Sequence, residues 1–247
     1  MDPIHAIGDI HGHLSQLEAA LDAIERHGEP SAPVVFLGDL VDRGPASRAV
    51  IETVMAGQAA GRPWICLMGN HDRYILRFLE HPGYDDPNTS RPLNWLDPPL
   101  GGRHTLASYG VDVAENRPLE QIHADAREAV PQSHLDWIAA LPRYHETAEH
   151  IFVHAGLRPG VPLAEQREDD LVWIRDPFLT HDGDWGRLVV HGHTALQRPE
   201  LYPNRLNLDG GAGYGRPLYP ALLHGRAVSL LDRSGATRLD VIGARVA

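Results

Sequence analysis

Five short apolar runs in this chain each end in a cluster of aspartate, asparagine, histidine and glycine. Ile4-His5-Ala6-Ile7 leads into Gly8-Asp9-Ile10-His11-Gly12, and Val34-Val35-Phe36-Leu37 leads into Gly38-Asp39-Leu40-Val41-Asp42-Arg43-Gly44. Trp64-Ile65-Cys66-Leu67-Met68 runs into Gly69-Asn70-His71-Asp72, and Ile151-Phe152-Val153 runs into His154-Ala155-Gly156. The last, Leu188-Val189-Val190, precedes His191-Gly192-His193-Thr194. One such segment is ordinary turn chemistry, because Asp, Asn and Gly dominate turns. Five in order are hard to explain that way: short buried runs that deliver polar residues at one end are the strands of an α/β sheet.

The intervening segments agree. Leu14, Leu17, Ala20, Leu21 and Ile24 recur at helical spacing, with Ser15 a candidate cap and Gly28 with Pro30 a stop. A second helix is expected from about Pro45 to Ala60, since proline suits a first helical turn, and a third through about Glu80. Strands alternating with helices predict a parallel sheet with the ligand-type residues at its carboxyl ends. Residues 81–104 change texture, with five prolines and three glycines, and are expected to form an irregular lid or rim. Helical texture returns from Leu119 to Leu141. The last third is mostly β, at Leu188–Val190, Arg205–Leu208, Tyr219–Leu223 and Ala227–Leu231. The expectation is one α/β domain over residues 1–247, with two packed sheets and helices outside.

Charge narrows the partners. Acidic residues outnumber basic ones 33 to 22, for a net charge of −11, which disfavours a nucleic-acid or anionic-membrane partner because both need a basic field. An anionic substrate must then be attracted locally, by cations and a few arginines. Cys66 is the single cysteine, so no intramolecular disulfide forms. There is no export signal before Asp9 and no apolar stretch of membrane-spanning length, and a cytoplasmic location is expected.

The clusters carry metal-ligand chemistry. Asp9 and His11, one residue apart, can face a single ion, and a carboxylate with an imidazole suits Mn, Fe or Zn. Taken alone, Asp9 reads equally well as a helix cap. Asp39 lies between two such loops and can bridge two cations. Arg43 offers a planar fork for two phosphate oxygens, although an isolated Asp42-Arg43 could be a surface pair. Asn70 can ligate through its amide oxygen. His71 sits beside the metals without having to bind one, which suits a general acid, and Asp42 can hold its imidazole and raise its pKa. His154 and His193 supply two further imidazoles, and spacing alone leaves His191 competing with His193.

Gly-Asp-x-His-Gly, Gly-Asp-x-Val-Asp-Arg-Gly and Gly-Asn-His-Asp, about thirty residues apart, strongly resemble the phosphoprotein phosphatase family within the calcineurin-like metallophosphoesterases. Asp170–Asp176 and Asn207-Leu208-Asp209 resemble its bacterial and phage lambda-type members. The resemblance, from about Ile4 to Asp209, implies a four-layer αββα fold of two mixed sheets. It implies that Asp9 and His11 hold one metal, that Asp39 bridges, and that Asn70, His154 and His193 complete the second, which decides for His193 over His191. It further implies that His71 is the general acid oriented by Asp42, and that Arg43 and Arg175 grip the phosphate while a metal-bridging hydroxide attacks in line. Two divalent cations are implied, Mn first, with Fe or Zn as alternatives.

The expected activity is phosphomonoester hydrolysis, with phosphoserine or phosphothreonine in proteins as first substrate and other small phosphate esters as alternatives. The nearest competitor is a symmetrical bis(5′-nucleosyl) tetraphosphatase, whose segment matching Leu40–Gly44 typically has alanine where Asp42 stands, so the intact Asp42 leans toward a protein phosphatase. Phosphotyrosine remains an open alternative. Asp209, His224 and the other histidines are expected to be structural.

Overall fold

In the computed structural model of the protein, residues 2–242 are described; residue 1 and residues 243–247, part of the expected domain, lie outside them. The first half forms β1 (Ile4–Ile7), α1 (Leu14–His27), β2 (Val34–Phe36), α2 (Ser47–Ala59), β3 (Trp64–Cys66) and α3 (Asn70–Glu80), followed by α4 (Gly102–Ser108), α5 (Leu119–Ala129) and α6 (Gln132–Ala139). The second half is β4 (Tyr144–Glu146), β5 (His150–Val153), α7 (Glu168–Trp173), β6 (Leu188–His191), β7 (Glu200–Leu201), β8 (Arg205–Asn207), β9 (Ala221–His224), β10 (Ala227–Asp232) and β11 (Gly235–Arg238).

These strands make two mixed sheets, in the orders β11-β10-β9-β1-β2-β3 and β4-β5-β6-β8-β7. The strands that end in ligand-type clusters are parallel within each sheet. Ala6 pairs with Val35 and Val35 with Ile65 in the first, and Ile151 pairs with Val189 in the second. The added edge strands β9 to β11 are antiparallel, as are β4 and β7. A purely parallel sheet fails because antiparallel strands complete one edge of the first sheet and both edges of the second.

Alternation along the strands decides the layers. Ile4, Ala6 and Val35 of the first sheet meet Phe152, Leu188, Val190 and Leu206 of the second in a buried middle layer. The opposite faces carry Ile7, Val34 and Phe36 under α1, α2 and α3, and Ile151, Val153 and Val189 under Leu171 and Phe178. The result is helix, sheet, sheet and helix in sequence, the four-layer arrangement of two packed mixed sheets that the sequence resemblance implies.

Several local expectations shift. α1 begins at Leu14 after His13, with no side-chain cap, so Ser15 lies inside the helix. α2 begins at Ser47, two residues beyond Pro45, because residues 42–44 are committed to a tight turn. The helical texture from Leu119 to Leu141 resolves into two helices, α5 and α6, the second opening at Gln132 beside the helix start expected at Ser133, because Pro131 has no N–H to continue α5. Residues 81–101 are irregular, but His104 already belongs to α4.

Phe152 lies fully buried between the sheets. Phe152→Ala is expected to cost about 3–5 kcal/mol by opening a cavity there, read as a lower urea midpoint at unchanged slope. A loss below about 1 kcal/mol would show that the sheets are not held by this contact.

Candidate active site

All five clusters converge at the carboxyl ends of β1, β2, β3, β5 and β6, where a cleft of about 530 Å³ opens between the sheet ends and residues 88–93. A second groove of about 510 Å³, between α1 and residues 217–220 and 231–234, contains none of the candidate residues.

Asp39 occupies the middle. Its Oδ2 is 3.6 Å from His11 Nε2 and its Oδ1 is 3.4 Å from His154 Nε2, so one carboxylate faces an imidazole on each side. Two groups of side chains have ligand atoms close enough to share an ion: His11, Asp39 and His71, and Asp39, His154 and His193. Asn70 joins the second, with Oδ1 2.9 Å from both His154 Nε2 and His193 Nδ1. Of the pair left open by spacing, His193 is brought to this group. His191 instead packs edge-on against Phe178, outside both groups. Asp9 also stands outside them, its two oxygens each 3.1 Å from the donating His193 N–H.

Backbone carbonyls orient the imidazoles from behind. His11 Nδ1–H donates to the Val41 carbonyl at 2.8 Å and His154 Nδ1–H to the Leu37 carbonyl at 2.9 Å, so each turns the lone pair of Nε2 into the cleft. Arg43 spans the next gap, with Nη1 2.7 Å from His11 Nε2 and Nη2 3.1 Å from His71 Nε2. His71 Nδ1 lies 2.6 Å from Asp42 Oδ2. Arg175 and Trp173 line the same cleft together with His193 and Thr194.

The backbone here is strained. Among the described residues, the non-glycine residues with positive φ are His11, Asp39, Asp42, Arg43 and His193, at 50° to 75°, and all belong to this site. Left-handed conformations cost an L-residue about 1–2 kcal/mol each, and such strain concentrates at functional sites. Loops also approach so closely that a Cβ on Gly69 would sit 2.2 Å from Asp39 Oδ1, and one on Gly192 would sit 2.1 Å from Asp9 Oδ1.

Burial dominates the electrostatics. It raises the Asp9 carboxyl well above the usual range, helped by the neighbouring Asp209 and Asp39 charges, and raises Asp39 likewise, helped by Asp72. It drives His154 down to about 3 and lowers His11 and His193 well below the ordinary imidazole value. The expected rise at His71 is not found: burial, then the Arg43 guanidinium and His154, push it well below its usual value. Asp42 itself rises to about 7 through burial, against the hydrogen bonds it accepts from Thr105 and Trp95.

This donor set fits two cations. Carboxylates and imidazoles pushed toward neutrality by burial regain favourable partners when a divalent ion is present, and mixed O and N ligands suit Mn, Fe or Zn. Some of the buried polar atoms without a partner lie in the same cleft: His193 Nε2, Arg43 Nε, Trp173 Nε1 and Thr194 Oγ1.

Some contributors carry little sequence signal. Asp72 accepts the N–H groups of Asp39, Leu40 and Gly69 at 2.8 to 2.9 Å, tying two ligand loops together. Its spacing of three from Gly69 is a capping-box signal that could have revealed it. Asp209, expected to be structural, lies on the cleft wall close enough to raise Asp9. Tyr214, 61% exposed, sits at the mouth with the Arg43 guanidinium 4.9 Å from its ring centre.

Comparison with known proteins agrees with this chemistry. An asymmetrical bis(5′-nucleosyl)-tetraphosphatase, PrpE, of Halalkalibacterium halodurans is 26% identical over 239 residues, covering 86% of each chain. A symmetrical bis(5′-nucleosyl)-tetraphosphatase of a Janthinobacterium species is 32% identical over 155 residues, covering 63% of this chain and 44% of its own. Among solved structures, one assigned provisionally as a diadenosine tetraphosphatase superposes with a TM-score of 0.63 at 22% identity, covering 97% of this chain and 94% of its own. A cold-active protein-tyrosine phosphatase of a psychrophilic Shewanella gives 0.62 at 15% identity, covering 97% and 81%, and so shares the fold. The calcineurin-like phosphoesterase model matches residues 3–198, which contain the whole set of candidate ligands, and the chain belongs to that family of metal-dependent phosphoesterases.

Proposed function

We propose that this phosphoesterase hydrolyses the phosphoanhydride chain of a dinucleoside polyphosphate, with a diadenosine tetraphosphate-type substrate split asymmetrically. The observation that carries the reading is the succession at the cleft mouth. Arg43 reaches His11 and His71 with its two terminal nitrogens and carries the exposed Tyr214 ring on its outer side, with Arg216 5.8 Å from the same ring. A nucleotide presents the matching order, phosphate first and an aromatic base beyond it. The asymmetrical tetraphosphatases among its relatives align over most of both chains, whereas the symmetrical one aligns over a shorter stretch, and this supports the same reading.

Asp9, His11, Asp39, Asn70, His154 and His193 would hold two divalent cations, with Asp39 between them. When bound, the cations supply Lewis-acid polarisation of the phosphoryl oxygens and a nucleophilic water. Arg43 and Arg175 bind the phosphoryl oxygens and hold phosphorus in line with attack. His71 delivers a proton from Nε2 to the departing oxygen, while Asp42 keeps the ring in place through Nδ1. Phosphate on Arg43 offsets the guanidinium charge that depresses His71, so the substrate itself favours the protonated donor.

A second reading rests on the His71–Asp42 pair. A nucleotide leaves as a stable anion and needs little proton delivery, whereas the alkoxide of serine or threonine needs it. A buried acid pair at 2.6 Å therefore favours phosphoserine and phosphothreonine as further substrates, in keeping with the lean that Asp42 gives in the sequence.

The Mn-loaded protein is expected to convert diadenosine tetraphosphate into one nucleoside monophosphate and one nucleoside triphosphate, and chelation is expected to stop it. Two equal diphosphate products would instead support the symmetrical alternative, and turnover of phosphopeptide alone would overturn the anhydride reading. Tyr214→Ala should raise KM for the dinucleotide about tenfold through lost stacking, with less than about twofold change for p-nitrophenyl phosphate. His71→Asn should lower turnover of an alkyl phosphate by roughly 10²–10⁴ with metal content unchanged. Loss of metal from that variant would make His71 a ligand, consistent with its place beside His11 and Asp39.

A further inference from the structure

The segment joining α3 to α4 reaches from the cleft rim into the acid pair. Trp95 is buried, and its indole Nε1–H donates to Asp42 Oδ2 at 2.8 Å, the same oxygen that takes His71 Nδ1. Thr105, on α4, donates from Oγ1 to the other oxygen, Asp42 Oδ1, at 2.7 Å. The Thr105 oxygen also accepts the Asp42 N–H at 2.8 Å and lies 3.0 Å from Ser47 Oγ, which uses its hydrogen-bonding capacity fully. Both Asp42 oxygens are thereby fixed by side chains that are not among the residues lining the cleft.

The same segment braces the backbone. Asp42 and Arg43 are consecutive residues at φ 75° and 65°, a pairing that L-residues rarely adopt. The Arg43 N–H points at the Gly101 carbonyl. Neither Gly101 nor Gly102 tolerates a side chain: a Cβ on the first would lie 2.6 Å from Arg43 N, and one on the second 2.5 Å from the Trp95 ring.

We propose that Trp95 and Thr105 are positioning residues that hold the Asp42 carboxylate, and through it His71 Nε2, at the leaving oxygen. The inference rests on the acid role given to His71 above and assigns that role a dependence on the rim segment. Trp95 also packs on Phe78, with ring centres 5.1 Å apart, so a purely structural contribution has to be separated from positioning.

The separation comes from leaving-group dependence. The full-length, Mn-loaded protein is assayed with substituted phenyl phosphates whose phenols range from acidic to weakly acidic, alongside metal content and thermal unfolding. Trp95→Phe removes the N–H and keeps the ring; Thr105→Val removes the hydroxyl and keeps the shape. Each is expected to lower kcat about tenfold for the least acidic phenol, part of the 10²–10⁴ a placed proton donor supplies, and less than about twofold for the nitrophenyl ester. KM and metal content stay unchanged, and Thr105→Ser restores kcat. An equal loss across the series, or no loss in either folded variant, overturns the proposal, and if one variant does not fold the other decides. A parallel series with His71→Asn tells the two failures apart. Should that series be flat, the acid role is wrong and the positioning role falls with it; should it be steep while Trp95→Phe and Thr105→Val are flat, only the positioning role fails.

Discussion

Burial of like charge is the constraint around which this protein is built. Asp9, Asp39, Asp42, Asp72 and Asp209 lie within one region with His11, His71 and His154, all of them nearly inaccessible to water, and with the half-buried His193. Desolvation alone pushes the acids up and the imidazoles down, and the acids raise one another further. An assembly of this kind is expensive unless each group finds a partner. Backbone donors and carbonyls supply part of that: His193 N–H for Asp9, three amides for Asp72, and the Val41 and Leu37 carbonyls for the rings. Two cations among Asp39, the histidines and Asn70 would supply the rest.

The sandwich exists to carry this arrangement at its strand ends. Parallel strands β1, β2 and β3, and β5 and β6 across the middle layer, bring five loops to one edge, and close glycine contacts let them touch. The left-handed residues His11, Asp39, Asp42, Arg43 and His193 are held against their local preference by that packing. Strain of about 1–2 kcal/mol per residue is affordable only because the apolar layers above and below are so thoroughly buried.

Much of this was legible in the residues. Apolar runs ending in Gly-Asp or Gly-Asn-His located the strand ends, and helical spacing from Leu14 located α1, because both signals are periodic and local. The ambiguity between His191 and His193 is irreducible from spacing: His191 ends β6, while His193 lies beyond it in a left-handed turn that no periodicity reveals. Trp95, Thr105 and Tyr214 were invisible for a related reason: their roles arise from an irregular segment, a short helix and a glycine-flanked turn folding back on Asp42 and Arg43. Such contacts have no period. The direction of the His71 shift is not legible because sequence shows the Asp42 partner but not how completely water is excluded. The lean toward a protein phosphatase rested on Asp42 alone, and one carboxylate that orients an acid says little about what lies beyond the phosphate.

The central claim is that the buried aspartates and histidines form a two-cation centre bridged by Asp39. Anomalous diffraction from crystals of the Mn-loaded protein tests it most directly. The account predicts two peaks roughly 3.5–4 Å apart, one on each side of the Asp39 carboxylate. A single peak, or cations bound away from Asp39, would contradict it.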